Sequence, residues 1–127
     1  MIVAVNSSTA TWSEVSSASL TLDADTTPPL GKGQGFRPHE LLDAALASCM
    51  AITLRTVATE RGIALEQAQV TIEVDRAHEA ETVFRARVDL RGVLSDAERK
   101  LLLVAVRHCP VRKTLAKQLS FVESEGA

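Results

Sequence analysis

The chain has 127 residues, of which 46% are hydrophobic and 24% charged, and these values are typical of one globular domain over residues 1–127. Its formal net charge of −2 lacks the positive excess that a phosphate backbone attracts, so we expect no nucleic-acid partner. The sequence opens without a basic, apolar leader, and no apolar run approaches the roughly 20 residues that a bilayer requires. We therefore expect a cytoplasmic protein without membrane contact.

The N-terminal part predicts short strands followed by a loop. Residues 2–5 and 18–22 are β-type runs separated by stretches rich in Ser and Thr, a pattern typical of a β meander. Residues 28–35 then hold half of the Gly and Pro residues of the chain, and this density predicts a loop, with its glycines at 31–35.

A long helix is predicted over residues 38–61. Pro38 suits a first helical position, Gly62 suits the residue that ends a helix, and no Gly or Pro lies between them. Residues 41–52 are apolar on nearly every side of the helix, so we expect neighbouring elements to cover most of its surface.

Two half-buried antiparallel strands are predicted next, at 69–75 and 83–91, because apolar and polar residues alternate strictly there. In the second strand the inward-facing residues are Phe84, Ala86, Val88 and Leu90.

The C-terminal part predicts two helices and a last strand. Ser95 and Glu98 have the spacing of a capping box, which opens a helix to about Arg107. Pro110 suits the first position of another helix, and Cys109 would then be its N-cap. Residues 119–122 are apolar enough for a final strand.

Cys49 and Cys109 are too few and too far apart for a secreted disulfide scaffold, so a bridge between them would be regulatory or catalytic. At a helix N-cap the backbone N–H groups and the helix dipole favour an anion, so we expect a favoured thiolate at Cys109. The apolar surroundings of Cys49 oppose a thiolate unless a cation reaches it from elsewhere in the fold. For each cysteine the alternative is a small buried hydrophobe.

The histidines and one carboxylate near these cysteines allow further interpretations. A zinc site would need Cys49, Cys109, His39 and His108, but only the neighbours His108 and Cys109 are local, and we expect no metal. Glu40 has an ordinary explanation at the helix N-terminus, where the dipole favours a carboxylate. Neither His39 nor Glu40 shares a helix face with Cys49, so any contact with its sulfur would come from another element or subunit.

Two segments carry a resemblance to a known family: PHELLDAALASC at residues 38–49 and CPVRKTL at residues 109–115. Their order and separation resemble the osmotically inducible protein C and organic hydroperoxide resistance (OsmC/Ohr) superfamily, in its OsmC-like branch. The resemblance implies an α+β fold and an intertwined homodimer, in which long central helices pack between curved antiparallel sheets.

The resemblance also implies a chemistry. Cys49 falls at the position of the cysteine that attacks an organic hydroperoxide, and Cys109 at that of the cysteine that closes a disulfide with the resulting sulfenic acid. No bound cofactor is implied, and an external dithiol of lipoyl type restores the pair. Arg37, His39 and Glu40 are candidates for orienting the Cys49 thiolate.

The chain departs from the organic hydroperoxide branch in the residues that activate the thiol. That branch has Glu directly after the proline and an Arg in the N-terminal strands, whereas this chain has His39 there and no Arg before Arg37. Two other functions therefore stay open: a non-catalytic protein that binds a lipid-like or thiol ligand in the dimer-interface pocket, and a hydrolase or thiol-transfer enzyme with His39 or His108 as base.

Overall fold

The structure, a computed structural model, describes residues 1–126, and the chain divides into two compact units, Met1–Ala44 and Ala45–Ala127. The first unit is a three-stranded antiparallel sheet. Its strands are β1 (Val3–Asn6), β2 (Ser13–Ser16) and β3 (Thr21–Ala24), and they pair in chain order. The predicted β meander is therefore present, and its middle strand lies in the Ser- and Thr-rich stretch that carried no strand pattern of its own.

The loop after β3 is organised around one carboxylate. Asp25 is buried and accepts hydrogen bonds from Thr11 Oγ1 at 2.6 Å and from the backbone nitrogens of Thr26, Lys32 and Gln34 at 2.8, 3.1 and 3.1 Å. Led by the Thr11 hydroxyl, these bonds lower the pKa of Asp25 to about 2. The predicted glycine-rich loop thus has backbone groups bound to a single ionised side chain.

Helix α1 (Pro38–Arg61) has the bounds that the sequence predicts, and Gly62, at φ +63°, ends it. Its buried residues form one stripe at a spacing of four: Leu46, Met50, Leu54 and Ala58. The expectation that most of its surface is covered is wrong for the single chain, because only this stripe reaches the core, whereas Ile52 stays 65% exposed.

The apolar composition of α1 also corrects the expectation about apolar length. An 18-residue window of this helix has a mean hydropathy of 1.5, so by length and composition alone α1 could cross a membrane. The core helices of soluble proteins meet the same criterion, and the buried stripe of α1 belongs to the core of its own chain.

The second unit continues with a two-stranded antiparallel sheet of β4 (Leu65–Asp75) and β5 (Val83–Gly92). Three of the predicted inward-facing residues, Phe84, Val88 and Leu90, pack against the core. The fourth, Ala86, is exposed and lines an open cavity of about 450 Å³. Gly92, at φ +139°, lies where the register shifts, and a side chain there would collide with the Ala64 carbonyl.

Helix α2 (Asp96–Ala105) begins at the predicted capping box, in which the Ser95 nitrogen donates to Glu98 Oε1 at 3.0 Å and the Glu98 nitrogen to Ser95 Oγ at 3.1 Å. A 3₁₀ turn (Val106–His108) leads into helix α3 (Pro110–Leu115). Within the described residues, the expected strand at 119–122 is wrong: this segment has no regular secondary structure, with Phe121 80% and Val122 95% exposed. A lone strand leaves its backbone groups unpaired, and within the described residues both sheets pair without this segment.

Candidate functional site

Cys109 is the N-cap of α3, as the sequence predicts. Pro110 occupies the first turn, and Cys109 Sγ accepts a hydrogen bond from the Arg112 backbone nitrogen at 3.4 Å. The side chain has 0% exposure and belongs to the same core cluster as Leu102 and Leu54. Its sulfur is thus held in place by the helix end and by the core around it.

The expectation of a favoured thiolate at Cys109 is wrong. Burial raises the pKa of Cys109 and outweighs the opposing effect of the Arg112 N–H donor. The neighbouring Cys49 raises it further, through a hydrogen bond between the two side chains and through its charge. Cys109 therefore keeps its proton at neutral pH.

Cys49 lies in the middle of α1, half-buried, and faces a cavity of about 580 Å³ in the second unit. The cavity wall is formed by α1, by the 3₁₀ turn and by the start of α3. Its lining residues are mostly apolar: Ala45, Ser48, Cys49, Ile52, Thr53, Thr56, Val57, His108, Pro110 and Val111. A thiol at Cys49 can thus meet an apolar molecule from solvent, while Cys109 lies behind it in the core.

The arrangement is a pair of interacting thiols with unequal access to solvent. Both cysteines are free, Cys49 packs against the core cluster that contains Cys109, and Cys49 is near enough to raise the Cys109 pKa. A species formed on the Cys49 sulfur would have the Cys109 sulfur as its neighbour. Among residues 1–126, no group of three or more His, Cys, Asp or Glu side chains is placed to hold a metal ion.

The remaining predicted site residues belong to the first unit. Arg37 and Glu40 bind each other: Glu40 Oε1 accepts from the Arg37 backbone nitrogen at 3.0 Å and from Arg37 Nε at 3.1 Å. The backbone donor, followed by the guanidinium, lowers the pKa of Glu40. Glu40 thus caps the start of α1, which is its ordinary helix-end explanation, and His39 beside it is exposed. A role of these three residues toward Cys49 stays a prediction.

The structure places one further residue, His108, in the site, and the sequence indicated this only weakly. His108 lines the same cavity as Cys49, at the exposed end of the 3₁₀ turn. From the sequence it was a candidate only as an unfavourable zinc ligand or as the base of a hydrolase. Its position beside Cys109 in the chain was the available signal, but the approach of α1 to this turn could not be derived from spacing.

These features define a class: an α+β protein with antiparallel sheets and a two-cysteine site beside an apolar cavity. The family model for OsmC-like protein matches residues 31–124, and the chain belongs to this family. A comparison with curated protein sequences gives no match.

Solved structures share the fold at low sequence identity. An OsmC-like protein from Mycoplasma pneumoniae is 22% identical with a TM-score of 0.75, covering 91% of this chain and 85% of its own. An organic hydroperoxide resistance protein OsmC from Legionella pneumophila is 20% identical with a TM-score of 0.65, covering 91% and 88%. The organic hydroperoxide resistance protein OhrB of Bacillus subtilis is 21% identical with a TM-score of 0.59, covering 91% and 89%.

Proposed function

We propose that this protein is a thiol-dependent peroxidase that reduces organic hydroperoxides, with Cys49 as the attacking thiol and Cys109 as the resolving thiol. The observation that carries this proposal is the contact between the two thiols, of which only Cys49 lines the cavity. Family membership and the likeness to organic hydroperoxide resistance proteins support a peroxide-related role.

In the first step the Cys49 thiolate attacks the distal oxygen of the hydroperoxide. A sulfur–oxygen bond forms, the O–O bond breaks, and the alkoxide leaves and is protonated to the alcohol. Cys49 becomes a sulfenic acid, oxidised by two electrons while the peroxide is reduced by two.

In the second step the Cys109 sulfur attacks the Cys49 sulfur. A disulfide forms, and the sulfenic oxygen leaves with the Cys109 proton as water. Since Cys109 is already held against Cys49 by the helix cap and the core, this step competes well with further oxidation. An external dithiol, of lipoyl type in our proposal, then reduces the disulfide by two thiol exchanges.

The wall of the cavity supports an organic substrate. Apolar side chains such as Ile52, Val57 and Val111 surround the Cys49 position, so an alkyl group gains by leaving water there, whereas hydrogen peroxide has no apolar part to bury.

The test is intact-mass spectrometry of the reduced protein after one equivalent of cumene hydroperoxide. We expect the wild type to lose two hydrogens as the disulfide forms. The Cys109→Ala variant should gain one oxygen on Cys49, trapped by a sulfenic-acid reagent, and Cys49→Ser should not react. Unchanged masses in the wild type and in Cys109→Ala would overturn the proposal.

A second candidate function, binding of a lipid-like or thiol ligand without turnover, is favoured by the absence of Lys and Arg among the residues that line the cavity. Without a cation the Cys49 thiolate has less support. This function predicts that a fatty acid or a small thiol binds both the wild type and Cys49→Ser with equal affinity, and that the mass stays unchanged after peroxide.

We further propose that the protein is a cytoplasmic homodimer. Apolar side chains exposed in the single chain, such as Leu20 at 73%, Val5 at 63% and Phe121 at 80%, support a partner subunit that covers them. Sedimentation equilibrium measures the mass in solution, and a monomer at micromolar concentration would contradict the dimer. Arg37, His39 and Glu40 remain proposed as orienting residues, and a slower sulfenic-acid formation in Arg37→Gln or Glu40→Gln would support that role.

A further inference from the structure

The cavity that Cys49 faces contains one further ionisable side chain. Of its ten lining residues, only Cys49 and His108 carry an ionisable side chain. The His108 side chain is exposed at the end of the 3₁₀ turn, and no hydrogen bond, ion pair or other electrostatic contact engages it in residues 1–126. An imidazole without a structural partner therefore borders the space where the O–O bond would break.

The reaction needs a proton at this place. When the Cys49 thiolate takes the distal oxygen of an alkyl hydroperoxide, the departing alkoxide is a strong base in an apolar space, and its formation is costly unless a proton reaches it. Cys109 keeps its proton for the second step. The apolar and hydroxyl side chains that complete the wall are poor acids at neutral pH.

From this placement we infer that His108 is a catalytic residue: its imidazolium donates a proton to the leaving oxygen of the hydroperoxide as Cys49 attacks. The inference rests on the proposed peroxidase function. The sulfur–oxygen bond forms, the O–O bond breaks, the proton passes from the imidazolium to the alkoxide, and the alcohol departs. Being exposed, the neutral imidazole then takes a new proton from solvent.

Three arginines on the elements that form the cavity wall are bound elsewhere or lie in solvent. Arg112, on α3, donates from Nη1 to the Arg107 carbonyl at 3.1 Å and lines the separate cavity that also contains Glu81. Arg55, on α1, is bound to the carbonyls of Leu65 and Glu66. The guanidinium of Arg107, the preceding residue, is exposed to solvent, where water screens its charge.

The experiment compares two peroxides that differ in their leaving group. The alkoxide released from tert-butyl hydroperoxide needs a proton, whereas the carboxylate released from peracetic acid is stable without one. Stopped-flow measurement of sulfenic-acid formation in the Cys109→Ala background isolates the first step. We expect His108→Gln to slow the reaction with tert-butyl hydroperoxide by about 100-fold and to leave the reaction with peracetic acid nearly unchanged.

The pH dependence provides a second readout that a structural role would not change. The ratio of the two rates cancels the thiolate fraction of Cys49, so a proton donated by His108 should make this ratio fall as pH rises in the wild type. In His108→Gln the ratio should not depend on pH. His78→Gln is the matched control, because His78 is exposed in the loop after β4 and should behave like the wild type.

Two results would overturn the inference: an equal loss of rate with both peroxides, or no loss with either. Failure of the proposed function gives a different result: the Cys109→Ala protein that retains His108 would form no sulfenic acid with either peroxide.

Discussion

The Cys109 thiol contacts Cys49 from a position with 0% exposure, whereas Cys49 itself borders an open cavity. The two neighbouring thiols therefore differ in their access to solvent. This difference can be measured directly with a thiol reagent.

We predict that iodoacetamide modifies Cys49 well before Cys109 in the folded, reduced protein. The reagent reaches Cys49 through the cavity but meets Cys109 only when the core opens. Peptide mass spectrometry over a time course measures both rates. In Cys49→Ser the remaining thiol should stay slow until denaturant is added, and equal rates at both cysteines in the folded wild type would contradict the burial of Cys109.

The raised pKa of Cys109 predicts a loss of stability at alkaline pH. The unfolded chain releases this proton near the ordinary cysteine pKa of about 8.5, while the folded chain retains it. The contribution is complete below that value and declines as pH rises toward the folded pKa. Urea unfolding between pH 8 and pH 10 should thus show a steeper fall in the free energy of unfolding for the wild type than for Cys109→Ala. Parallel slopes would argue against it.

The lowered pKa of Asp25 predicts the opposite pH dependence of stability in the first unit, with a loss at acid pH. Its pKa is lowered to about 2 by the Thr11 hydroxyl and three backbone donors, so its contribution is complete above the ordinary value of 3.8 and is lost as pH falls toward 2. Trp12, the one tryptophan of the sequence, lines a cavity with Asp25, so its fluorescence can follow the unfolding of the first unit.

Asp25→Asn should remove most of that acid dependence. The matched control is Asp23→Asn, since Asp23 lies on β3 and forms no side-chain hydrogen bond within residues 1–126. If acid titration of Trp12 fluorescence gave the same midpoint for the wild type and Asp25→Asn, the hydrogen-bonded carboxylate would not be the sensitive group.

Two residues of α2 allow a matched test of the core. Leu102 is fully buried, so Leu102→Ala should lower the free energy of unfolding by about 2–5 kcal/mol. Val104, two residues further along α2, is 52% exposed, and Val104→Ala should change the free energy of unfolding by less than about 0.5 kcal/mol. Urea unfolding followed by circular dichroism measures both, and similar losses would mean that Val104 is covered in solution.

The sequence predicted best where the signal was local. The bounds of α1, the capping box at Ser95 and the N-cap at Cys109 each follow from a few neighbouring residues, and all three are confirmed. β2 was not predicted, because SEVS has a single strongly apolar residue and becomes a strand through its neighbours β1 and β3.

The errors concern properties that depend on contacts distant in sequence. The N-cap of α3 alone favours a thiolate at Cys109, but the core around the sulfur reverses that preference, and this burial could not be derived from a helix end. In the same way, the apolar residues 119–122 suit a strand, yet a strand also needs a partner edge.

Arg55 links the end of α1 to the start of β4, with Nη1 2.8 Å from the Leu65 carbonyl oxygen and Nη2 3.2 Å from that of Glu66. The connection after Gly62 is short, so the two hydrogen bonds of Arg55 close a small loop. Small loops cost little chain entropy to close. In kinetic terms we expect this helix–strand corner to form early in folding, with a φ value near 1 for Arg55→Ala in chevron measurements. A value near 0 would place its formation after the main barrier.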